Sequence, residues 1–407
     1  MLQVLYYPYM TYFRIPINTN RNISDKNLKL KLNLKQTSSQ ICSFSLSKYL
    51  IETKKKIDDV SNLWDTMKIY TNPYEFIQTN VPNHQLSVSK YKPISRAFFK
   101  LLEIYNLFNI LDYDRPINTF HLAEGPGGFI EATLFLRNEK RDNYYGMTLI
   151  DKNSSIPGWK KSKQFLEKFP NIVLEGGKDN TGNLFNEENF KYCSQKYGNS
   201  LDIITGDGGI DFSDDYNDQE NLAARLIITQ IFYALSMQKI GGTFVLKMFD
   251  IFNKCSVDAI YLLSLFYRKI YVVKPYTSRY ANSEKYIVCL DFIKLPTKEI
   301  KMKFWSILKI LKSIDFKKYN ISSILDIEQN LYFMNNIEEI NIILGQRQIE
   351  NILFTIKMIK NKDKYNEKIS KFKSNNIQRC IKWCDNNDIQ TNKFKEIISP
   401  KNIFLKK

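Results

Sequence analysis

A chain of 407 residues, 43% apolar and 14% aromatic, can bury a real core and has room for one large domain or two to three ordinary ones. Lys and Arg outnumber Asp and Glu by 59 to 42, a formal charge of +17 that points to a polyanionic partner, nucleic acid ahead of a membrane surface. No apolar run is long enough to span a bilayer, and two histidines with six scattered cysteines and no Cys-x-x-Cys pair argue against a zinc site.

The cysteine usage fits a reduced intracellular compartment. Met1 to Asn18 lacks the basic start and small-residue cleavage pattern of a signal peptide. Asn18 to Ser39, rich in Asn, Lys and Ser, reads as loop or partial disorder. Ser45 to Tyr70 has helical spacing and is stopped by Asn72-Pro73. A second helix is expected over Ile94 to Leu111, with Lys100 near the edge of its apolar stripe. Strands and helices then alternate: strands at 119–123, 144–149, 171–175, 201–206, 242–248, 269–274 and 284–292, and helices at 127–137, 159–168, 219–238 and 255–267. That pattern predicts an α/β fold with a doubly wound, mostly parallel sheet. The short loop Pro275 to Ser283 joins the last two strands, so an antiparallel pair should close the sheet. Further helices are expected at 307–314, 324–336 and 337–359. A basic and aromatic stretch follows, with Lys362, Lys364, Lys368, Lys371, Phe372, Lys373, Arg379, Lys382 and Trp383. It reads equally as a solvated helical face and as an RNA-contacting or docking appendage. The expected organisation is an N-terminal extension (1–85), an α/β domain (86–295) and a basic helical C-terminal region (296–407).

In such a sheet, ligands sit beyond the carboxyl ends of the strands. The sequence places Glu124 and the turn Gly125-Pro-Gly-Gly128 after the first strand, Asp151 after the second and Gly176-Gly-Lys-Asp179 after the third. Gly206-Asp-Gly-Gly209 follows the fourth, Lys247 sits inside the apolar run Phe244 to Phe249, and Glu284 opens the last strand. The glycine turn lets an anion approach the main chain at a helix N-terminus, although a plain strand-to-helix connection explains it as well when taken alone. A charged lysine in an apolar strand has fewer ordinary explanations, because lysine is rarely buried without a partner. Asp207 alone reads as a turn cap and Glu284 alone as a surface strand residue. Together with Lys247 on one edge they call for a joint reading.

Five segments in order carry a resemblance: Ser95-Arg-Ala-Phe-Phe-Lys-Leu101, Glu124-Gly-Pro-Gly-Gly-Phe129, Gly206-Asp-Gly-Gly209, Gly241-Gly-Thr-Phe-Val-Leu-Lys247 and Thr277-Ser-Arg-Tyr-Ala-Asn-Ser-Glu-Lys-Tyr-Ile-Val288. The stretch from residue 90 to residue 292 resembles the FtsJ-like ribose 2′-O-methyltransferases. The resemblance implies a Rossmann-like class I S-adenosylmethionine-dependent methyltransferase fold. Its sheet would be seven-stranded and mostly parallel with an antiparallel final strand, flanked by helical N- and C-terminal extensions. It also implies a catalytic tetrad at Lys100, Asp207, Lys247 and Glu284. Lys247 would be central, either as a neutral base or as an ammonium that orients the acceptor hydroxyl. The implied S-adenosylmethionine site comprises Glu124, Gly125, Pro126, Gly127, Gly128, Phe129, Asp151, Asp179 and Asp207, and RNA contacts fall on Arg96, Tyr276, Ser278, Arg279 and Ser283, with no metal.

The motifs look most like the mRNA cap branch of eukaryotes and large DNA viruses. They depart from it at Tyr280, where proline often follows the arginine, and at Asp151, a loose match to the acidic ribose contact. The implied partners are RNA, capped mRNA first, and the capping or transcription machinery. The implied location is cytoplasm, nucleus, virion or viral factory, with no membrane. Tyr276, Tyr280 and Phe249 are candidates to stack on the cationic guanine of a cap. Three alternatives stay open: a ribosomal RNA methyltransferase, a non-catalytic RNA-binding subunit with this fold, and a nicotinamide dehydrogenase, which the closing hairpin disfavours.

Overall fold

The computed structural model describes residues 11–16, 21–150, 158–209, 218–361 and 366–394. In chain order the elements begin with β1 (Thr11–Ile15), β2 (Leu28–Leu34), α1 (Phe44–Lys55), α2 (Ser61–Thr71), α3 (Ala97–Phe108), β3 (Asn118–Leu122) and α4 (Gly128–Arg137). Next come β4 (Asn143–Met147), α5 (Lys163–Lys168), β5 (Ile172–Leu174), α6 (Glu187–Lys196), β6 (Leu201–Gly206), α7 (Gln219–Met237) and β7 (Gln238–Met248). The rest are α8 (Lys254–Phe266), β8 (Tyr267–Lys274), β9 (Lys285–Phe292), α9 (Lys298–Ser313), β10 (Tyr319–Leu325), α10 (Leu331–Lys360) and α11 (Asn366–Asn386). The chain divides into two compact units, one of residues 1–51, 94–278 and 283–346 and one of 52–93, 279–282 and 347–407. Each unit draws on three stretches of chain, whereas the sequence suggests three successive blocks.

The first unit is built on a sheet of order β1-β8-β9-β7-β6-β3-β4-β5. Strands β7, β6, β3, β4 and β5 pair in parallel, and β9 runs antiparallel to both β7 and β8. The seven expected strands are all present, and β1 adds an eighth, antiparallel to β8. Every residue of β6 is buried, as a central parallel strand covered on both faces requires. Helix α8 is buried from Cys255 to Phe266 because it lies under a further layer, a two-stranded sheet of β2 and β10. The buried Asp258 carboxylate of α8 accepts the Ser323 hydroxyl at 2.6 Å and the Ile324 and Leu325 N–H groups at 3.1 and 3.2 Å, which fixes β10 on the helix. Phe232 of α7 stacks on Phe304 of α9 with ring centroids 4.2 Å apart.

Several local expectations change. The stretch 45–70 is not one helix: the chain tightens into a 3-10 turn at Asp58–Val60, with Lys56 N–H reaching Thr53 and Ile57 N–H reaching Lys54, so α1 and α2 are separate. Within 18–39, the alternation Leu28, Leu30, Leu32, Leu34 forms β2, whereas 18–20 lie outside the described residues. The expected helix at 324–336 is β10 up to Leu325, since Ile321 and Ile324 fit a strand. Helix α10 starts only after Asn330, whose side chain accepts the Phe333 N–H at 2.8 Å. Helix α6 has no counterpart in the expected elements. Its signal was Asn186 before Glu187-Glu188, an N-cap whose side chain accepts the Glu188 N–H at 3.1 Å. Among the described residues, no helix is long and apolar enough to cross a membrane.

The second unit packs α11 against α2 and the 3-10 turn Glu75–Ile77. The hydroxyls of Thr71 and Thr355 meet at 2.7 Å, and Asn376 donates to the Tyr70 carbonyl at 2.8 Å. Trp383 is buried, so it does not belong to an exposed face with Lys368, Lys371 and Lys382. Lys362 and Lys364 lie outside the described residues. The loop residues Arg279 to Ala281 belong here. Arg279 donates through Nε and Nη2 to Glu75 at 3.0 and 2.7 Å, Tyr280 N–H to Asn72 Oδ1 at 3.1 Å, and Gln348 Nε2 to the Ala281 carbonyl at 3.0 Å.

Candidate active site

Strand register assembles the site at the carboxyl edge of the sheet. Gly206 of β6 lies beside Leu246 of β7, so Asp207, the next residue, comes beside Lys247. Lys247 Nζ donates to the Asp207 carbonyl at 2.8 Å and lies 3.2 Å from Asp207 Oδ1. Lys100, in the first turn of α3, meets Glu284 just before β9, with Nζ 2.7 Å from Oε1 and 3.0 Å from Oε2. These four side chains are only 12–18% exposed. The structure therefore brings together all four residues of the expected tetrad, as two ion pairs.

Tyr286 and Lys274 join them. Tyr286, opposite Lys247 in the β7–β9 ladder and fully buried, places its hydroxyl 3.3 Å from Asp207 Oδ1 and 3.3 Å from Glu284 Oε1. Lys274 at the end of β8 donates to the Glu284 carbonyl at 2.6 Å. Sequence reasoning missed both. The signal for Tyr286 was its place two residues after Glu284, on the same face of a strand. Burial pushes the Glu284 carboxyl up, but Lys100, Lys247 and Lys274 outweigh it and hold the pKa down at about 2. Burial lowers Lys274 to about 7, with Lys285 and Lys100 adding to the fall and Glu284 opposing it.

The glycine turn holds its own acid. Glu124 is buried, and its Oε1 accepts the Phe129 N–H at 2.7 Å and the Ile130 N–H at 3.1 Å. The first amides of α4 thus include two directed at Glu124, and the Phe129 N–H is not left for a ligand carboxylate. Burial, then the neighbouring Asp207, raises the Glu124 carboxyl well above its usual range, against the pull of the Ile130 and Phe129 amides and Lys247. Gly127 has a φ of 117°, which favours glycine, and a Cβ on Gly125 would come within 2.8 Å of the Gly158 carbonyl oxygen. Gly128 lies against Ser95 and Pro126 accepts the Ser162 hydroxyl, which ties the turn to the start of α3 and the approach to α5.

The loop after β5 packs along the end of β4. The Ile150 N–H donates to the Thr181 carbonyl at 2.8 Å, and the Gly182 N–H closes the loop on the Gly176 carbonyl at 2.8 Å. Asp179 accepts Thr181 N–H and hydroxyl at 3.0 and 2.7 Å, Asn186 at 2.6 Å and Asn189 at 2.9 Å. Burial pushes its carboxyl up, but the bonds from Thr181, Asn189 and Asn186 prevail and hold it at about 2. Both oxygens are engaged in shaping the loop. Asp151 lies outside the described residues.

The expected RNA-contacting residues are placed as follows. Arg96 is half-buried just before α3. Tyr276 is half-buried, and its N–H donates to Glu103 Oε1 at 2.7 Å. Glu103, a buried acid of α3 missed in the sequence, also takes the Thr277 N–H and hydroxyl at 3.3 and 3.0 Å. Ser278 and Ser283 are buried, the latter donating to Gln219 at 2.8 Å. Arg279 is committed to Glu75 within the second unit, because a buried carboxylate needs a compensating charge. Phe249, a candidate stacking residue, is 6% exposed and part of the core. Among the described residues no cluster of His, Cys, Asp and Glu could hold a metal ion.

Residues 93–292, which include the glycine turn and all four charged side chains, match the family model described as FtsJ-like methyltransferase. A zebrafish (Danio rerio) protein named cap-specific mRNA (nucleoside-2′-O-)-methyltransferase 2 is 30% identical over 275 residues, 61% of this chain and 34% of that protein. A Dictyostelium discoideum protein named cap-specific mRNA (nucleoside-2′-O-)-methyltransferase 1 is 28% identical over 346 residues, 76% of this chain and 42% of its own length. The mouse (Mus musculus) protein of that second name is 36% identical over 177 residues, 41% of this chain and 20% of that protein. The chain spans less than half the length of each of these relatives. Residues 93–292, just under half of the chain, are thus similar to the FtsJ-like methyltransferases.

Proposed function

We propose that this chain is an S-adenosylmethionine-dependent RNA ribose 2′-O-methyltransferase that acts on the first transcribed nucleotide of capped mRNA. The proposal rests on the paired arrangement Lys100–Glu284 and Lys247–Asp207 beside the glycine turn. The relatives named as cap-specific mRNA methyltransferases support the choice of substrate, and the +17 charge suits a polyanion. The residues present fit the methyl donor. The Asp207 carboxylate suits a cationic sulfonium, and three of the four positions from Gly125 to Gly128 are glycine, which lets a ligand approach the main chain. When bound, S-adenosylmethionine would supply a methyl group to the acceptor oxygen, its carbon–sulfur bond breaking to leave S-adenosylhomocysteine while the hydroxyl proton passes to solvent.

The protein's part is to hold and polarise the acceptor. An ammonium has three N–H donors. Lys247 directs two of its contacts at Asp207, to the carbonyl and to Oδ1, and has a third for the acceptor oxygen as negative charge develops there. Asp207 fixes the direction of that amine. Lys100 and Glu284 flank it with a second, self-neutralised pair that keeps the pocket polar without adding net charge. Positioning of this kind can be worth about 7–11 kcal/mol of barrier.

The test is methyl transfer to two short RNAs identical but for the cap. The capped RNA should react at least about 10-fold faster, the discrimination expected when a site makes specific contacts to one substrate. Equal rates would remove the cap from the proposal, and absence of transfer to either RNA would remove the activity.

A further inference from the structure

The two ion pairs of the site are not independent. The hydroxyl oxygen of Tyr286 lies 3.3 Å from a carboxylate oxygen of each, Asp207 Oδ1 and Glu284 Oε1. The ring is fully buried and lies on β9 directly opposite Lys247, so the hydroxyl has little freedom to leave this position. Its other neighbour is Phe129, the first residue past the glycine turn, with ring centroids 6.1 Å apart. A phenol has one proton and can donate it to one carboxylate at a time. Without that proton, two carboxylates and a phenol oxygen would face one another across 3.3 Å contacts with nothing to share.

We infer that Tyr286 is a positioning residue of the methyl-transfer site, whose hydroxyl holds the Asp207 and Glu284 carboxylates in register and thereby aims Lys247 at the acceptor oxygen. The inference deepens the function proposed above and rests on it for its kinetic consequence. Burial, then Asp207 and Glu284, raises the phenol well above its usual range, so it stays a donor at any working pH. The charged groups that act on it are Asp207 after β6 and Glu284 before β9; Lys247, opposite it on β7, pairs with Asp207, and Lys100 on α3 and Lys274 on β8 act on Glu284. Donation from the phenol favours the ionised Glu284 carboxylate, so its loss should raise the Glu284 pKa from about 2 and move the acid limb of any pH dependence upward.

Tyr286→Phe removes the oxygen and keeps the ring. With capped RNA, its kcat should fall about 10-fold or more, the cost of one hydrogen bond to a charged group, while KM for S-adenosylmethionine stays within about 2-fold. The acid limb of its kcat profile should shift upward relative to wild type. A merely structural role would leave that limb in place, and an unchanged kcat with an unchanged profile would overturn the inference. If wild type methylates no RNA, the proposed function falls, and acid unfolding of the two proteins decides the inference by itself. A carboxylate held down by a donor loses its contribution as pH falls through its folded pKa. The Tyr286→Phe protein should therefore unfold at a higher pH, and coincident acid transitions would overturn the link between the carboxylates.

Discussion

Replacing Lys247 with alanine is expected to abolish methyl transfer, with a loss of at least about 10²–10⁴-fold, while leaving S-adenosylhomocysteine binding near that of wild type. Lys247 lies between β6 and β9 in the ladder, with Asp207 on one side and Tyr286 on the other. Truncation removes the amine proposed to meet the acceptor and leaves the Asp207 carboxylate without its ion pair. It does not touch the Glu124–Phe129 contact or the loop closed by Gly176 and Gly182, which are proposed to form the donor side. Chemistry and cosubstrate binding should therefore separate. Single-turnover kinetics read the first and calorimetry the second. Near-wild-type turnover would remove Lys247 from the centre of the mechanism. Lys247→Arg keeps the charge but not the compact geometry, and should recover little, because a planar guanidinium cannot present the same three donors.

Gly182→Ala should be the most damaging substitution on the donor side. Gly182 has a φ of 65°, and a Cβ there would collide with the carbonyl oxygen of Thr148 at the end of β4. That contact is with backbone, so the loop itself must move. Moving it breaks the Ile150–Thr181 and Gly182–Gly176 hydrogen bonds that hold the 176–182 loop at the edge of the sheet. The expected outcome is a stability loss of about 2–4 kcal/mol and at least about 10-fold weaker S-adenosylhomocysteine binding. Thermal denaturation and calorimetric titration check both. A protein with wild-type melting and affinity would show that this loop is not the donor wall.

Seven of the eight strands of the sheet were legible because each carries its own signal. Runs such as Leu201–Gly206, centred on Ile203 and Ile204, are buried on both faces, and the loop at 275–283 is too short for a helical crossover, which leaves only an antiparallel return for β9. The tetrad was legible because a lysine inside Phe244 to Phe249 demands a partner, and the motif order named which ones. What stayed hidden are pairings set by the fold rather than by spacing. Arg279 looks like a phosphate contact in its motif, yet its guanidinium meets Glu75, 204 residues earlier. Glu103 reads as an ordinary helix residue until the loop at Tyr276 and Thr277 closes on it. Asp179 has the right loop for a ligand, and its exposed carboxylate also accepts four local donors that shape that loop. Tyr286 becomes informative only through the register that sets it opposite Lys247. In each case one residue type serves either a ligand or the protein, and only the partner's position decides between them.

The central claim, transfer to a ribose hydroxyl next to a cap, is tested most directly by labelled methyl transfer from S-adenosylmethionine to a defined capped RNA, followed by digestion and mass spectrometry of the modified nucleoside. The account predicts a 2′-O-methylribose on the first transcribed nucleotide, absent with the Lys247→Ala protein. A methylated base, or a methylated ribose at an internal position regardless of the cap, would contradict it.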